Sequence, residues 1–292
     1  MNDPDLRMTE AWRRHERRWK DHRFVYAVVS RRSGGLSVGL NLSPDRACNF
    51  NCVYCQTDRA APRLAESVDP DRLAAELDNI LQAEKDGSLY LDAPFNALPP
   101  AERGVRDIAF SGDGEPTACA RFEEAVRIAA EARRIHGLQS SKLVLITNAA
   151  YLDNPGVAAA VGILDKNNGE IWAKLDAGTE EHFREVNRSA ITLSEIVENI
   201  LAAARLRPLV IQSLWMHIHG APPAEPELAA WLGRLKYILA GGGRLKAVQL
   251  NTIVRSPAEN HVGPLTRNEL ARIGNFVKSE LPVPVEIYGG EP

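Results

Sequence analysis

A regular alternation of short apolar runs with amphipathic stretches narrows the fold of this chain more than any other feature. Runs at residues 107–110, 143–147, 171–175, 209–214, 247–254 and 283–288 read as strands. They are rich in Val, Ile and Leu, as strands buried on both faces of a parallel sheet are. Helical patterns occupy residues 71–85, 121–136, 192–206 and 225–239. A capping box, Thr266-Arg267-Asn268-Glu269, opens one more helix ending near residue 281. Such alternation over six or more units predicts an α/β barrel or partial barrel. Ahead of it, residues 24–30 and 36–42 predict a β-hairpin turning at Gly34-Gly35, where glycine supplies the positive φ. The expected organisation is an N-terminal basic arm with a hairpin strand over 1–35 and a barrel over 36–292.

Composition sets outer limits. Of 292 residues, 45% are apolar and 25% charged, as in an ordinary soluble domain. No apolar run approaches membrane-spanning length, and the start of the chain has no apolar signal segment. A cytoplasmic protein with no membrane partner is expected. The net charge of −3 argues against a polyanion binder overall. Residues 7–23 depart from that balance, with seven Arg or Lys against three acidic residues and Trp12 and Trp19 interleaved. The arm suits phosphate contacts to RNA, though its pattern fits better an amphipathic solvated helix packing its Trp residues on the barrel.

Cysteine usage is the chemically informative feature. Cys48, Cys52 and Cys55 stand at C-x3-C-x2-C spacing, and Cys119 is the one other cysteine. Three thiols cannot pair evenly as disulfides, and a reducing compartment leaves them for metals or catalysis. Structural zinc wants two paired knuckles, and no second pair stands nearby. Thiolates at this spacing can hold three irons of an iron–sulfur cube, leaving the fourth iron open to a substrate or cofactor.

Polar groups gather at the strand ends, where barrel enzymes place theirs. The run 107–110 leads into Ser111-Gly112-Asp113-Gly114-Glu115-Pro116-Thr117. Its glycines permit close backbone approach, and Glu115 offers an acceptor to a metal-bound amine. The next strand ends in Thr147-Asn148. Lys174 and Asp176 alternate about Leu175 and share one side, which suits a zwitterion: Lys174 for a carboxylate, Asp176 for ribose hydroxyls. The stretch Gln212–His219 alternates, giving Gln212, His217 and His219 as candidate substrate contacts. Asn251, on one face with Gln249 and Ile253, is a candidate for adenine or substrate, and Arg255 beyond it for an anion.

The cysteine spacing, with aromatic Tyr54 before the last cysteine, resembles the radical S-adenosylmethionine (SAM) superfamily. That resemblance implies an open (β/α)6 partial barrel of the TIM type, one [4Fe–4S] cluster on Cys48, Cys52 and Cys55, and SAM chelated by the open iron. It implies that Tyr54 lies against the adenine and that Gly114-Glu115-Pro116 takes the place of the family's Gly-Gly-Glu-Pro stretch, which binds the SAM amino group. Asp113 departs from the doubled glycine. Within the superfamily the chain is most similar to the wyosine-synthase-like group, through Leu42-Ser43-Pro44, Gln56-Thr57-Asp58-Arg59, 110–117, 174–178 with Asn187-Arg188, and 249–257. Wyosine synthases act on a guanine of tRNA with pyruvate and carry a second cluster on cysteines upstream of the triad. No cysteine precedes Cys48 here, so only the chemistry, not the substrate, is carried over. The expectation is an enzyme that cleaves SAM reductively with electrons from a flavodoxin- or ferredoxin-like donor. The competing reading is an electron carrier or sensor with Cys119 as fourth ligand.

Overall fold

The computed structural model describes residues 19–60 and 66–289. The basic arm lies outside the described residues up to residue 18. The chain forms two compact units, one holding residues 19–47, 66–146 and 155–170, the other 48–60, 147–154 and 171–289.

The first unit begins with the expected hairpin. β1 (Val25–Ser30) pairs antiparallel with β2 (Gly35–Leu40), the turn carrying Gly34 at φ 69°. β3 (Val105–Phe110) and β4 (Lys142–Thr147) extend the sheet in parallel, Val38 beside Ile108 and Ile108 beside Leu143. Strand β1 is anchored by a carboxylate. Glu76, buried in α1 (Pro70–Lys85), accepts the N–H groups of Arg23, Phe24 and Val25, so an edge that would otherwise leave donors in an apolar setting is satisfied. Helices α2 (Phe122–Ile135) and α3 (Pro155–Asp165) complete the unit. α3 is missing from the sequence reading because PGVAAAVGILD is apolar all round and shows no amphipathic period.

In the second unit β5 (Gly169–Lys174) and β6 (Leu209–Leu214) run parallel, followed by β8 (Leu245–Asn251) and β10 (Val285–Tyr288). Their register sets Lys174 beside Gln212, Gln212 beside Gln249, and Gln249 beside Glu286. A short helix α4 (Glu180–Val186) follows β5, then α5 (Leu193–Leu206), α6 (Glu225–Ala240) and α7 (Arg267–Glu280). α5 and α7 both open with full capping boxes, Thr192 with Glu195 and Thr266 with Glu269.

One expectation changes. The alternating stretch Gln212–His219 is not a single strand. β6 stops at Leu214, and the chain resumes as β7 (Met216–Ile218) in a separate ribbon with β9 (Val262–Pro264). The break is Trp215, whose N–H bonds the Asn251 carbonyl and whose ring packs edge-on to Trp231 at 5.3 Å. A buried indole outweighs continued pairing at that point. Among the described residues, no helix is long and apolar enough to cross a membrane.

Candidate active site

In the second unit the cysteine loop is clasped by the segment that ends α4. Val53 N–H donates to the Val186 carbonyl (2.9 Å), Asn51 N–H to the Asn187 carbonyl (3.0 Å), and Ser189 Oγ to the Asn49 carbonyl (3.4 Å). The Cys55 carbonyl accepts Ala258 N–H at 3.0 Å. Beneath the loop, Val53, Val186, Met216, Ile253 and Val262 form an apolar cluster with Tyr54, Leu214 and Ile218 packed on it. A loop that has to present three thiols is thus fixed from its backbone and from below.

None of the four cysteines is in a disulfide. Each sulfur of the triad faces an N–H donor: Phe50 N–H toward Cys48 Sγ (3.5 Å), Asn187 Nδ2 toward Cys52 Sγ (3.4 Å), and Arg59 Nη2 toward Cys55 Sγ (3.5 Å). Sulfur is a weak acceptor as a thiol and a better one as a thiolate. Burial, with the Asp176 carboxylate adding to it, pushes the Cys52 thiol up to about 12. Ionising it near neutral pH calls for a cation, and a metal supplies one. Among the described residues, no three His, Cys, Asp or Glu side chains converge as they would on a single metal ion. A cube asks something different, since its cysteines hold separate irons.

Tyr54, Lys174 and Asp176 come together in the same unit. Asp176, 2% exposed, accepts from Tyr54 Oη (2.5 Å), Asn187 Nδ2 (3.3 Å), the Leu214 N–H (2.8 Å) and Lys174 Nζ (2.9 Å). The Lys174 ammonium lies 5.1 Å from the centre of the Tyr54 ring. Burial raises the Tyr54 phenol well above its ordinary value, with Asp176 the next cause, so Tyr54 stays a donor. Asp176 is therefore a hub for four internal donors rather than a carboxylate waiting in solvent. The turn after β5 is held by α6: Glu227 accepts Gly178 N–H and Thr179 Oγ1, and Trp231 Nε1 donates to the Leu175 carbonyl. A Cβ on Gly178 would stand 2.0 Å from Trp231 N, so only glycine fits there. Thr147 and Asn148 cap their own turn by accepting the Ala149 and Ala150 N–H groups, and Asn148 Nδ2 also donates to Asn49 Oδ1 at 2.7 Å.

The glycine–glutamate loop belongs to the first unit. Glu115, 3% exposed, caps a 3₁₀ turn at Pro116–Ala118, its Oε1 accepting Thr117 N–H (3.1 Å) and Oγ1 (2.5 Å). Its glycines are needed for contact with the protein's own chain. A Cβ on Gly112 would meet Asn41 Oδ1 at 2.3 Å, and one on Gly114 the Ala47 carbonyl at 2.0 Å. Asp113 pairs with Asn41 in both directions: Asn41 Nδ2 donates to Asp113 Oδ2 (2.8 Å), and Asp113 N–H to Asn41 Oδ1 (3.0 Å). Cys119 follows the turn, and its carbonyl accepts Phe122 N–H at the start of α2; burial raises its thiol.

The remaining candidates scatter. Gln212 donates to Gln249 Oε1 at 3.0 Å, and Gln249 in turn to Glu286. His217 Nε2 meets the capping Glu269 at 3.1 Å. His219, with φ 51°, stacks on His261 at 4.8 Å. Asn251 gives its carbonyl to Trp215 N–H and its Nδ2 to the Gln249 carbonyl. Arg255 stands partly buried in the loop between β8 and β9. Sequence reasoning gave no role to Asn187, which touches both a cysteine sulfur and the Asp176 hub. Its signal was the Asn187-Arg188 pair, noted only as part of a resemblance.

Comparison with known proteins agrees with this picture. The family model described as the Radical SAM superfamily matches residues 42–232. A UPF0026 protein of Helicobacter pylori is 24% identical over 256 residues, covering 86% of this chain and 73% of that protein. A GTP 3′,8-cyclase of Rhodococcus opacus is 29% identical over 187 residues, covering 63% of this chain and 45% of the cyclase. Among solved structures, TYW1 with a lysine–pyruvate adduct bound shares the fold, with a TM-score of 0.54 at 12% identity over 85% of this chain and 74% of that one. The fold class is the α/β partial barrel that strand–helix alternation predicts.

Proposed function

Because this chain belongs to the radical SAM superfamily, we propose that it is an enzyme that holds one [4Fe–4S] cluster on Cys48, Cys52 and Cys55 and cleaves SAM reductively. When bound, the cluster and SAM together supply a 5′-deoxyadenosyl radical that removes hydrogen from a substrate. The observation that carries the reading is the donor set at the triad: three cysteines outside any disulfide on one clasped loop, each with an N–H aimed at its sulfur. Two buried polar atoms beside them, Asn49 Nδ2 and Asn187 Oδ1, find no partner among the described residues. A ligand bearing both acceptors and donors, as SAM does, satisfies such a pair.

The chain's own residues divide the remaining work. Lys174 offers a cation for the carboxylate of SAM. Asp176 keeps Tyr54 and Lys174 in place while Tyr54 presents its ring to the adenine. Glu115 offers its carboxylate to the amino group. Thr147, Asn148 and Asn251 shape the turn and strand end around the nucleoside. Buried side chains below the loop keep water from the reacting carbon.

The electron comes from an external flavodoxin- or ferredoxin-like donor. For substrate, the resemblance to wyosine synthases and the basic, Trp-bearing arm favour RNA, with the arm contacting phosphates. Anaerobic reconstitution tests the core of the reading. The protein should bind about four irons and four sulfides per chain, shift the spectrum of its reduced cluster on adding SAM, and release 5′-deoxyadenosine slowly without substrate. A reduced cluster indifferent to SAM would leave the electron-carrier reading standing.

A further inference from the structure

Asn187 sits where a cysteine sulfur and a buried carboxylate approach one another. Its Nδ2 lies 3.4 Å from Cys52 Sγ and 3.3 Å from Asp176 Oδ2. Both neighbours are acceptors, so the amide nitrogen, not the oxygen, has to face them. The side chain is 2% exposed and cannot swing away to solvent. Its backbone is fixed as well: its carbonyl accepts Asn51 N–H and its own N–H bonds the Phe183 carbonyl at 2.8 Å. α4 ends at this residue, so the helix delivers a rigid donor to the sulfur of the middle cysteine.

Resting on the radical SAM reading, we propose that Asn187 is a positioning residue that sets the reduction potential of the cluster by donating to Cys52 and shielding its sulfur from the Asp176 carboxylate. One-electron reduction adds negative charge to the cluster and its thiolates. A donor aimed at a thiolate stabilises that added charge, and a nearby carboxylate opposes it. Asn187 does the first and blunts the second with the same NH2 group. Asp176 cannot simply be dispensed with, because it holds Tyr54 and Lys174. The amide covers Asp176 Oδ2 while Lys174 pairs with Oδ1, so the carboxylate can stand near an electron-accepting cluster.

The test is the midpoint potential of the reconstituted cluster, read by EPR during a titration with dithionite as the electron source. Asn187→Leu keeps bulk and removes the donor. It should make reduction about tenfold less favourable, a shift of about 59 mV to more negative potential for one electron. Asn187→Asp puts a second carboxylate at the sulfur and should shift further in the same direction. Asn187→Gln retains an amide and should return toward the wild-type value. Ser189→Ala removes a clasp contact that touches no sulfur and should leave the potential unchanged.

Loaded Leu and Asp variants with the wild-type potential and EPR signal would overturn the proposal. So would a Ser189→Ala shift equal to that of Asn187→Leu, or failure of every Asn187 variant to hold a cluster, since the residue would then be part of the frame. A wild-type protein that takes up no cluster would instead sink the radical SAM reading itself.

Discussion

The two loops proposed to bind the cofactors reach rigidity by opposite routes. The loop after β3 is fixed by absence of side chain. Gly112 and Gly114 let it lie against residues 41–47 at distances no Cβ tolerates, and Glu115 closes it with an N-cap. The cysteine loop is fixed by presence. Asn187, Arg59 and Ser189 reach it with side-chain donors, and an apolar cluster supports it from below. A loop that offers backbone and one carboxylate gains from close approach. A loop that presents cysteine sulfurs gains from donors around them. Substitutions should therefore fail differently in the two places.

The largest effects should fall on the cysteine loop. Replacing Cys48, Cys52 or Cys55 by Ala should abolish the cluster, measured as iron content after reconstitution. Cys119→Ala should leave iron content intact, because its backbone, not its sulfur, closes the turn into α2. Iron loss in Cys119→Ala would remove the contrast between the loops and favour a four-cysteine electron carrier.

Next come the glycines. Gly114→Ala drives a methyl group toward the Ala47 carbonyl, and relief requires backbone movement, costing about 1–3 kcal/mol as overpacking does. Gly162, inside α3, has open space where a Cβ would stand, with nothing within 4 Å, so Gly162→Ala should stabilise by up to about 1 kcal/mol through helix propensity. Opposite signs in thermal unfolding are expected, and equal signs would show that close approach does not govern the loop.

Glu115→Ala and Asp176→Ala should weaken SAM binding while sparing iron content. The Asp176 change should be the broader, since Tyr54 and Lys174 lose their common anchor. Calorimetric titration with SAM checks both, and unchanged affinity in the two variants would displace the SAM site from these residues.

How much of this was legible in the sequence follows from which interactions are local. The strands with their Val, Ile and Leu runs read correctly because burial on both faces writes itself into composition. The capping box of α7 read correctly because both partners lie within four residues, and the matching box of α5, equally local, appears only in the structure. Cysteine spacing is local in the same way. The clasp of 186–189 on 49–53 was not legible, because it joins segments more than a hundred residues apart through backbone groups that every residue carries. Nor was the break at Trp215, since period-two alternation continues through it and the strand ends where Trp215 packs on Trp231 and His182 and the chain turns to pair with β9. The hub at Asp176 was half legible: its partner Lys174 stands two residues away, whereas Tyr54 and Asn187 arrive by tertiary folding.

The smallest effect concerns His217, a candidate substrate contact that the structure places on the cap of α7. Glu269 accepts from Thr266 N–H, from His217 and from Thr266 Oγ1, and these hold its carboxyl at about 2. A carboxyl depressed in the folded state adds stability above its ordinary value near 4.5 and loses it as pH falls toward 2. Glu269→Gln should therefore lower stability at neutral pH by about 1 kcal/mol or less, as loss of an exposed cap does, and flatten the acid-side decline across that window. His217→Ala should do part of the same and leave 5′-deoxyadenosine release untouched. Denaturant unfolding from pH 6 down to 3, set beside SAM cleavage, decides between the two roles. Normal stability with impaired turnover of substrate would return His217 to the residues that touch substrate, and would extend the side-chain-rich design of the cysteine loop to the ribbon formed by β7 and β9.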